Sequence, residues 1–374
     1  MRIFDRYITK SIFGAFIFSL CMFLALLLAM DMLSKLLTLV TEQGVPVTTA
    51  FKIFLLRLPG SIKFALPMSM LLSILTVFNQ MSSDSEMVAI RAAGVSFMRI
   101  ATPALIFAVL VTGVSFWISE KIAPVLSQQA LDITNKAINQ INRKTVMPYV
   151  LKDEKKDQII YGFFAENFNA EEQVMKNVTV IFYENGKQSV NMYADEANWS
   201  DKADKWEFRN ASFFYIKPGG QGISLQPMEK DANLLLNEPA FALRESPFRI
   251  AASRKNADDL TSGEIQQFIY DLKKMGNQYS KVARWETRLQ QRWALPFACF
   301  VFALIAAPLG LRHHRTSSAV GLGLSLVIIF LYYTLNNMLQ PLGDNGSLNA
   351  IVAAWAPNIV GAVIGVFLMF KANR

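Results

Sequence analysis

Four groups of polar residues lie in or beside long uncharged stretches, where each has a use that solvent-exposed groups lack. Asp31 and Lys35 are four apart, the spacing at which a carboxylate and an ammonium meet on one helix face. They form either an interfacial ion pair or a polar contact at the opening of a cavity. Arg57 and Lys63 precede an uncharged run and are interspersed with Pro59, Gly60 and Pro67. Proline disrupts a helix, and irregular helix at membrane depth lines cavities. These two cations therefore face a polar lumen or snorkel to headgroups. Asn336, Asn337 and Gln340 end another run; they cap a polar cavity or bond a neighbouring helix. The fourth group is the short segment from Ser82 to Gly94. Ser82 or Ser83 offers an N-cap, Asp84 and Glu86 suit a first turn, and Gly94 suits a C-terminal cap. The spacing predicts a helix of about three turns. It is either interfacial or a knob for a partner.

Other chemistries lack their residues. There is no G-x-x-x-x-G-K-[ST] loop, so the chain is not expected to bind and hydrolyse ATP itself. No H-E-x-x-H and no C-x-x-C occur. The two histidines, His313 and His314, are adjacent, and neighbours on a helix do not face one way. No metal, cofactor or catalytic set is expected.

These groups need positioning elements. Six windows carry no charge: Ser11–Met30, Phe64–Ser83, Ile100–Ser119, Trp293–Leu311, Thr316–Gly343 and Asn345–Phe370. A helix crosses a bilayer core with roughly 20 apolar residues, and a charge at mid-membrane costs about 2.5–3.5 kcal/mol. Six such gaps in a chain that is 18% charged and 52% hydrophobic are not accidental. The chain's formal net charge of +8 is placed in alternate loops: Arg2, Arg6 and Lys10; Arg91 and Arg99; Arg312 and Arg315; Lys371 and Arg374. The positive-inside rule puts these loops and both termini in the cytoplasm. That placement also argues against a nucleic-acid patch. Cys21 and Cys299 fall inside spans and read as packing residues, so no disulfide scaffold is expected.

Between Glu120 and Arg292 the chain turns polar. Gln158–Phe164, Val178–Tyr183, Ser189–Tyr193 and Trp206–Ile216 are β-rich, and Asn185-Gly186 signals a hairpin turn. Several strands at about ten-residue spacing suggest a sandwich or jelly-roll, with Trp199 and Trp206 in its core. Thr261 and Glu264 have capping-box spacing, followed by Ile265, Phe268, Ile269 and Leu272 at helical period. Gly276 ends that helix, and Tyr279–Arg292 leads a second one into the fourth span. The expected fold is a membrane α-helical bundle of six transmembrane helices, three plus three, with an inserted periplasmic all-β jelly-roll-like domain. The expected divisions are 1–125 with a helix near 82–94, then 126–258, then 259–374.

Several motifs occur in order. They are Asp5-Arg6-Tyr7-Ile8, Leu66-Pro67-Met68-Ser69-Met70-Leu71, Ser85-Glu86, and Ala93-Gly94-Val95-Ser96. Leu295-Pro296-Phe297-Ala298 through Ala307-Pro308-Leu309-Gly310, Gly321–Tyr333 and Ala354-Trp355-Ala356-Pro357-Asn358 complete the set. Through these the chain resembles the lipopolysaccharide-export permease family (LptF/LptG) nearly end to end. The resemblance implies an inner-membrane permease of an ATP-binding-cassette exporter. It would pair with a second permease, a paralogue or a copy of itself, and with a cytoplasmic ATPase dimer. It would extract lipopolysaccharide and pass it to a periplasmic bridge protein of jelly-roll type. By this carry-over Ser85, Glu86, Val88, Ala89 and Arg91 form the ATPase-coupling helix. Lys35, Arg57 and Lys63 become candidates for lipid phosphates, with Asp31, Asn336, Asn337 and Gln340 as further cavity candidates. One departure is that the family often carries several basic residues at the outer end of the first span, whereas this chain has Lys35 beside Asp31. The alternatives are a permease for another envelope lipid or lipoprotein, and a non-transporting membrane scaffold or sensor.

Overall fold

The computed structural model describes residues 2–42, 44–141, 147–153, 158–169, 172–184, 187–200, 205–219, 222–227, 257–274, 279–311 and 318–373. Contacts divide the chain into two compact units, Met1–Thr134 with Ala257–Arg374, and Asn135–Asn256.

Among the described residues each uncharged window contains a helix, and most of these helices outrun their window at one end. In the first unit, α1 (Arg2–Leu27) passes through a π-helical turn, Leu28–Met32, into α2 (Leu33–Thr41). α3 spans Val47–Ser83 and α4 Glu86–Ala92. α5 (Phe97–Trp117) runs through a second π turn, Ile118–Ile122, into α6 (Ala123–Ile141). After the strands come a 3-10 turn, Ala257–Asp259, and α7 (Ser262–Lys274). α8 (Tyr279–Gly310), α9 (Ser318–Asp344) and α10 (Ala350–Asn373) complete the chain. Six of these helical runs are long and apolar enough to cross a membrane.

Two expectations need correction. The prolines do not break α3: Pro59 and Pro67 lie inside one helix of 37 residues. Each proline removes one ladder donor, and the remaining hydrogen bonds on either side carry the helix through, as in other membrane helices. Arg57 and Lys63 are therefore side chains of one continuous helix, not of a broken one. The helix after the second span is also shorter than expected. α3 runs through Ser83, and the position before α4 is Ser85, at φ 60° with no side-chain cap. Its C-terminus does follow the glycine rule. Gly94 is left-handed (φ 82°), with Gly94 N–H donating to Arg91 O and Val95 N–H to Ile90 O, the Schellman arrangement.

α3 and α8 form the centre of this unit. α8 packs on α3, α5, α7, α9 and α10, and α1 packs on α3 and α5. Phe78, Phe97, Phe302, Met70, Ile8 and Ile12 are fully buried there. Small residues set the spacing. A Cβ on Gly310 would lie 2.6 Å from the Cβ of Phe78 and 3.3 Å from Asn79 N and Leu75 O. These are atoms of α3 that no rotamer change can move away. Gly310→Ala should destabilise the bundle by about 1–3 kcal/mol through overpacking. A thermal melt in detergent checks this; a midpoint equal to wild type would contradict the close approach.

In the second unit seven strands pair antiparallel. They are β1 (Met147–Asp153), β2 (Gln158–Asn169), β3 (Val174–Glu184), β4 (Lys187–Ser200), β5 (Lys205–Arg209), β6 (Ser212–Gly219) and β7 (Gly222–Pro227). The order is β1-β2-β3-β4-β6-β7, with β5 also on β4. Among the described residues this is one sheet in which each strand pairs with the one before it in sequence, except that β6 pairs with β4 instead of β5. Residues 185–186 lie outside the described residues, but Glu184 pairs with Lys187 across them, as a two-residue hairpin requires. The single strand expected over Trp206–Ile216 is two strands. Asn210 at φ 53° breaks it, and the pieces pair with different parts of β4. Phe163, Met175, Val178, Val180, Met192, Trp206 and Phe213 are buried in one cluster. On β3 and β4 the alternation slips at Asn177 (φ 50°), so Met175 faces Ala197 and Val178 faces Ala194. Trp199 and Trp206 are cross-strand partners, their rings edge to face at 5.6 Å.

Candidate functional site

Two polar clusters stand out in the helical unit, one just past the C-terminus of α3 and the other about Lys63, near its middle. At the end rich in arginine and lysine, the opening turn of α1 meets α4 and α5. Tyr7 Oη donates to Glu86, 3.1 Å from each carboxylate oxygen. Asp5 Oδ2 lies 2.6 Å from Arg99 Nη2. Met87 is the buried residue of α4; Val88, Ala89 and Arg91 point to solvent. An apolar edge beside a carboxylate and a guanidinium can seat a protein partner with a complementary cation or anion. Beside it, Asp5, Thr9, Arg99, Thr102 and the apolar Ile106 and Phe107 line a cleft of about 170 Å³.

In the other cluster, the chain returns from the strands through Ala257–Asp259. Three spans grip that turn. Lys63 Nζ of α3, itself buried, pairs with Asp258 at 2.5 Å. Arg292 of α8 is buried and donates to Ala257 O at 2.7 Å and also to Leu260 O. Ser127 of α6 donates to Asp259 at 2.6 Å, and Ser262 donates to Glu120 at 2.5 Å. The next helix starts as the capping box predicts. Thr261 N–H donates to Glu264 Oε2 at 2.7 Å, and Glu264 N–H to Thr261 Oγ1 at 3.3 Å. Partial desolvation pushes the Asp258 carboxyl up; Lys63, then Arg292 and Arg288, outweigh that and hold it below the ordinary carboxylate range. The Asp258 side chain is 69% exposed, so this pair is weaker than a buried one.

The sequence candidates are thus scattered over several environments. Lys63 is neutralised by Asp258. Arg57 has a buried Nε without a hydrogen-bond partner. Asp31 falls in the π turn, its side chain outside the described residues, and Lys35 is exposed on α2. Gln340 belongs to a helix–helix lock: with its amide turned so that the oxygen and not the nitrogen meets the guanidinium, that oxygen accepts from Arg288 Nη2 at 2.6 Å and Nη1 at 2.9 Å. Asp344, one turn on, accepts from Arg288 Nη2 at 3.1 Å. Asn336 is half-buried and Asn337 exposed on the same helix. His313 and His314 lie outside the described residues. Cys299 is buried and Cys21 exposed.

Sequence reasoning missed Asp258, Arg292 and Arg288 as members of these clusters. Arg292 carried one signal, as the charge that closes a window, but its partners are distant in sequence. Asp258 carried none. Tyr7 and Asp5 were visible only as part of a motif.

Six apolar helical runs, ion pairs between spans and an antiparallel sheet unit inserted in the chain define a multi-pass membrane protein with a folded extramembranous part. The chain matches the family model "Lipopolysaccharide export system permease LptF/LptG" over residues 6–371, nearly its whole length, and it belongs to that family. A comparison with curated proteins gave no match. Membership carries the role of a permease in lipopolysaccharide export, a transport component of the inner membrane.

Proposed function

We propose that this chain is the transmembrane subunit of an ATP-driven exporter that lifts lipopolysaccharide from the inner membrane. The observation that carries this reading is α4. It is a two-turn helix between the second and third spans that exposes Val88, Ala89 and Arg91 and holds Glu86 at its start. Extraction exposes acyl chains at roughly 0.8 kcal/mol per CH₂, so an energy source is required. With no nucleotide loop in its sequence, the chain borrows one. A cytoplasmic ATPase dimer docks on Ser85, Glu86, Val88, Ala89 and Arg91. A second permease, paralogue or self copy, completes a lipid-sized cavity.

In this reading three spans on each side of the insert pair as halves, and both termini are cytoplasmic. The insert, about 126–258, is a periplasmic jelly-roll that hands lipid to a bridge protein of like fold. Lys35, Arg57 and Lys63 meet lipid phosphates, with Asp31, Asn336, Asn337 and Gln340 near the cavity. Lys63 does so by exchanging Asp258 for phosphate, one charge-assisted bond for another.

Gentle detergent purification of the tagged chain from its native membrane tests this, with intact mass measurement of what accompanies it. The expected result is two ATPase copies, one further permease and bound lipopolysaccharide. The chain alone, or with envelope proteins only, would favour a scaffold.

A further inference from the structure

The Asp5-Arg6-Tyr7 stretch has no part in the role just described, yet two of its side chains make the described links at the basic end of the bundle. We propose that the Tyr7–Glu86 bond joins α4 to α1, and that the opening turn of α1 is the lever through which α4 moves the first span. This rests on the reading of α4 as the ATPase dock.

α4 is held by apolar packing of Met87 and half-buried Ile90 on the bundle core, and by one polar link. Of its seven residues, Met87 is the buried one. Among the described residues its side-chain hydrogen bonds go to one place, the Tyr7 hydroxyl. That hydroxyl is equidistant from both Glu86 oxygens, at 3.1 Å each. A donor shared by both oxygens fixes the direction of the carboxylate, and a bond to a charged acceptor is stronger than a neutral one. Two residues before Tyr7, Asp5 pairs with Arg99 at 2.6 Å. Arg99 is in the first turn of α5, which follows α4 across only Ala93–Ser96. So α4 and the start of α5 are both tied to the same turn of α1. The next residues of α1, Ile8 and Ile12, are fully buried in the bundle core. Close-packed interiors transmit displacement rather than absorb it. A push on α4 therefore reaches α1 as a shift of its first turns.

The test uses the assembly as it purifies, this chain with its ATPase, reconstituted in vesicles containing lipopolysaccharide. ATP turnover and lipid release are read on the same sample. Tyr7→Phe keeps the ring and removes the donor. It is expected to leave ATPase recovery, thermal midpoint and ATP turnover near wild type. Lipid released per ATP should fall about fivefold or more, the effect of losing one charge-assisted bond. Asp5→Asn should move the same ratio in the same direction. A Tyr7→Phe assembly with an unchanged ratio would overturn the inference. So would one that loses its ATPase, because Tyr7 would then belong to docking and not to transmission. Failure of the docking reading looks different: Glu86→Lys would keep its ATPase.

Discussion

Exchanging Glu86 for lysine is expected to strip the ATPase from the purified chain. Glu86 opens α4, and its carboxylate faces Tyr7 at the edge of the exposed Val88, Ala89 and Arg91 surface. A lysine there cannot accept from Tyr7, and it presents a cation where a docking partner would meet an anion. Truncating one member of a close interfacial charge pair costs about 2–5 kcal/mol, and reversal adds like-charge repulsion. ATPase recovery should therefore drop at least tenfold, roughly the factor that 1.4 kcal/mol represents. Membrane insertion and the thermal midpoint of the chain itself should hold, because Glu86 sits outside the buried core. Glu86→Gln, which keeps an acceptor for Tyr7 without the charge, should fall between. Undiminished ATPase recovery in Glu86→Lys would remove α4 as the dock.

Replacing Arg292 with methionine should produce the largest loss of stability. Arg292 is buried in α8 and holds the returning chain through the carbonyls of Ala257 and Leu260. Asp258, Asp259, Glu120 and Glu264 surround it. Methionine keeps much of the stem volume but takes the guanidinium bonds away from two carbonyls and one buried cation away from the carboxylates. Removing one partner from such a buried cluster costs about 3–5 kcal/mol, a midpoint drop on the order of 10 °C. Limited proteolysis should reveal new cleavage near 257–262. Arg292→Lys keeps the charge but not the forked geometry that reaches both carbonyls, so it should recover only part of the loss. A methionine variant that melts like wild type would show that the other contacts, Lys63–Asp258 and Ser127–Asp259, hold the turn alone.

Helix positions were legible because a bilayer imposes a plain rule. A charge is costly in hydrocarbon, so its absence over about 20 residues marks a span. The capping box at Thr261 and the glycine stop at Gly94 were legible too, since each is settled by residues three or four positions apart. Extended reach was not. The windows gave no hint that α3 continues back to Val47 through two prolines, because a long helix tolerates single missing donors when neighbours pack around it. Asn210 breaks a strand that reads as continuous, because its left-handed φ depends on where β5 and β6 each pair along β4.

The candidate site divides along the same line. Ser85 to Arg91 could be marked because the short helix and its exposed residues are contiguous. The cations could be marked as unusual for their setting, but not assigned partners. Lys63 meets a carboxylate 195 residues later, and Gln340 meets an arginine on another span. By itself the sequence determined how many helical runs are long and apolar enough to cross a membrane, which charges bound them, and that a strand-rich segment separates them. Those are local matters of transfer free energy and hydrogen-bond spacing. Only the tertiary structure decided which charge answers which: Lys63 with Asp258, Arg99 with Asp5, Arg288 with Asp344, and Tyr7 with Glu86. Coulombic and hydrogen-bond energies depend on distance in space, and folding alone sets that distance.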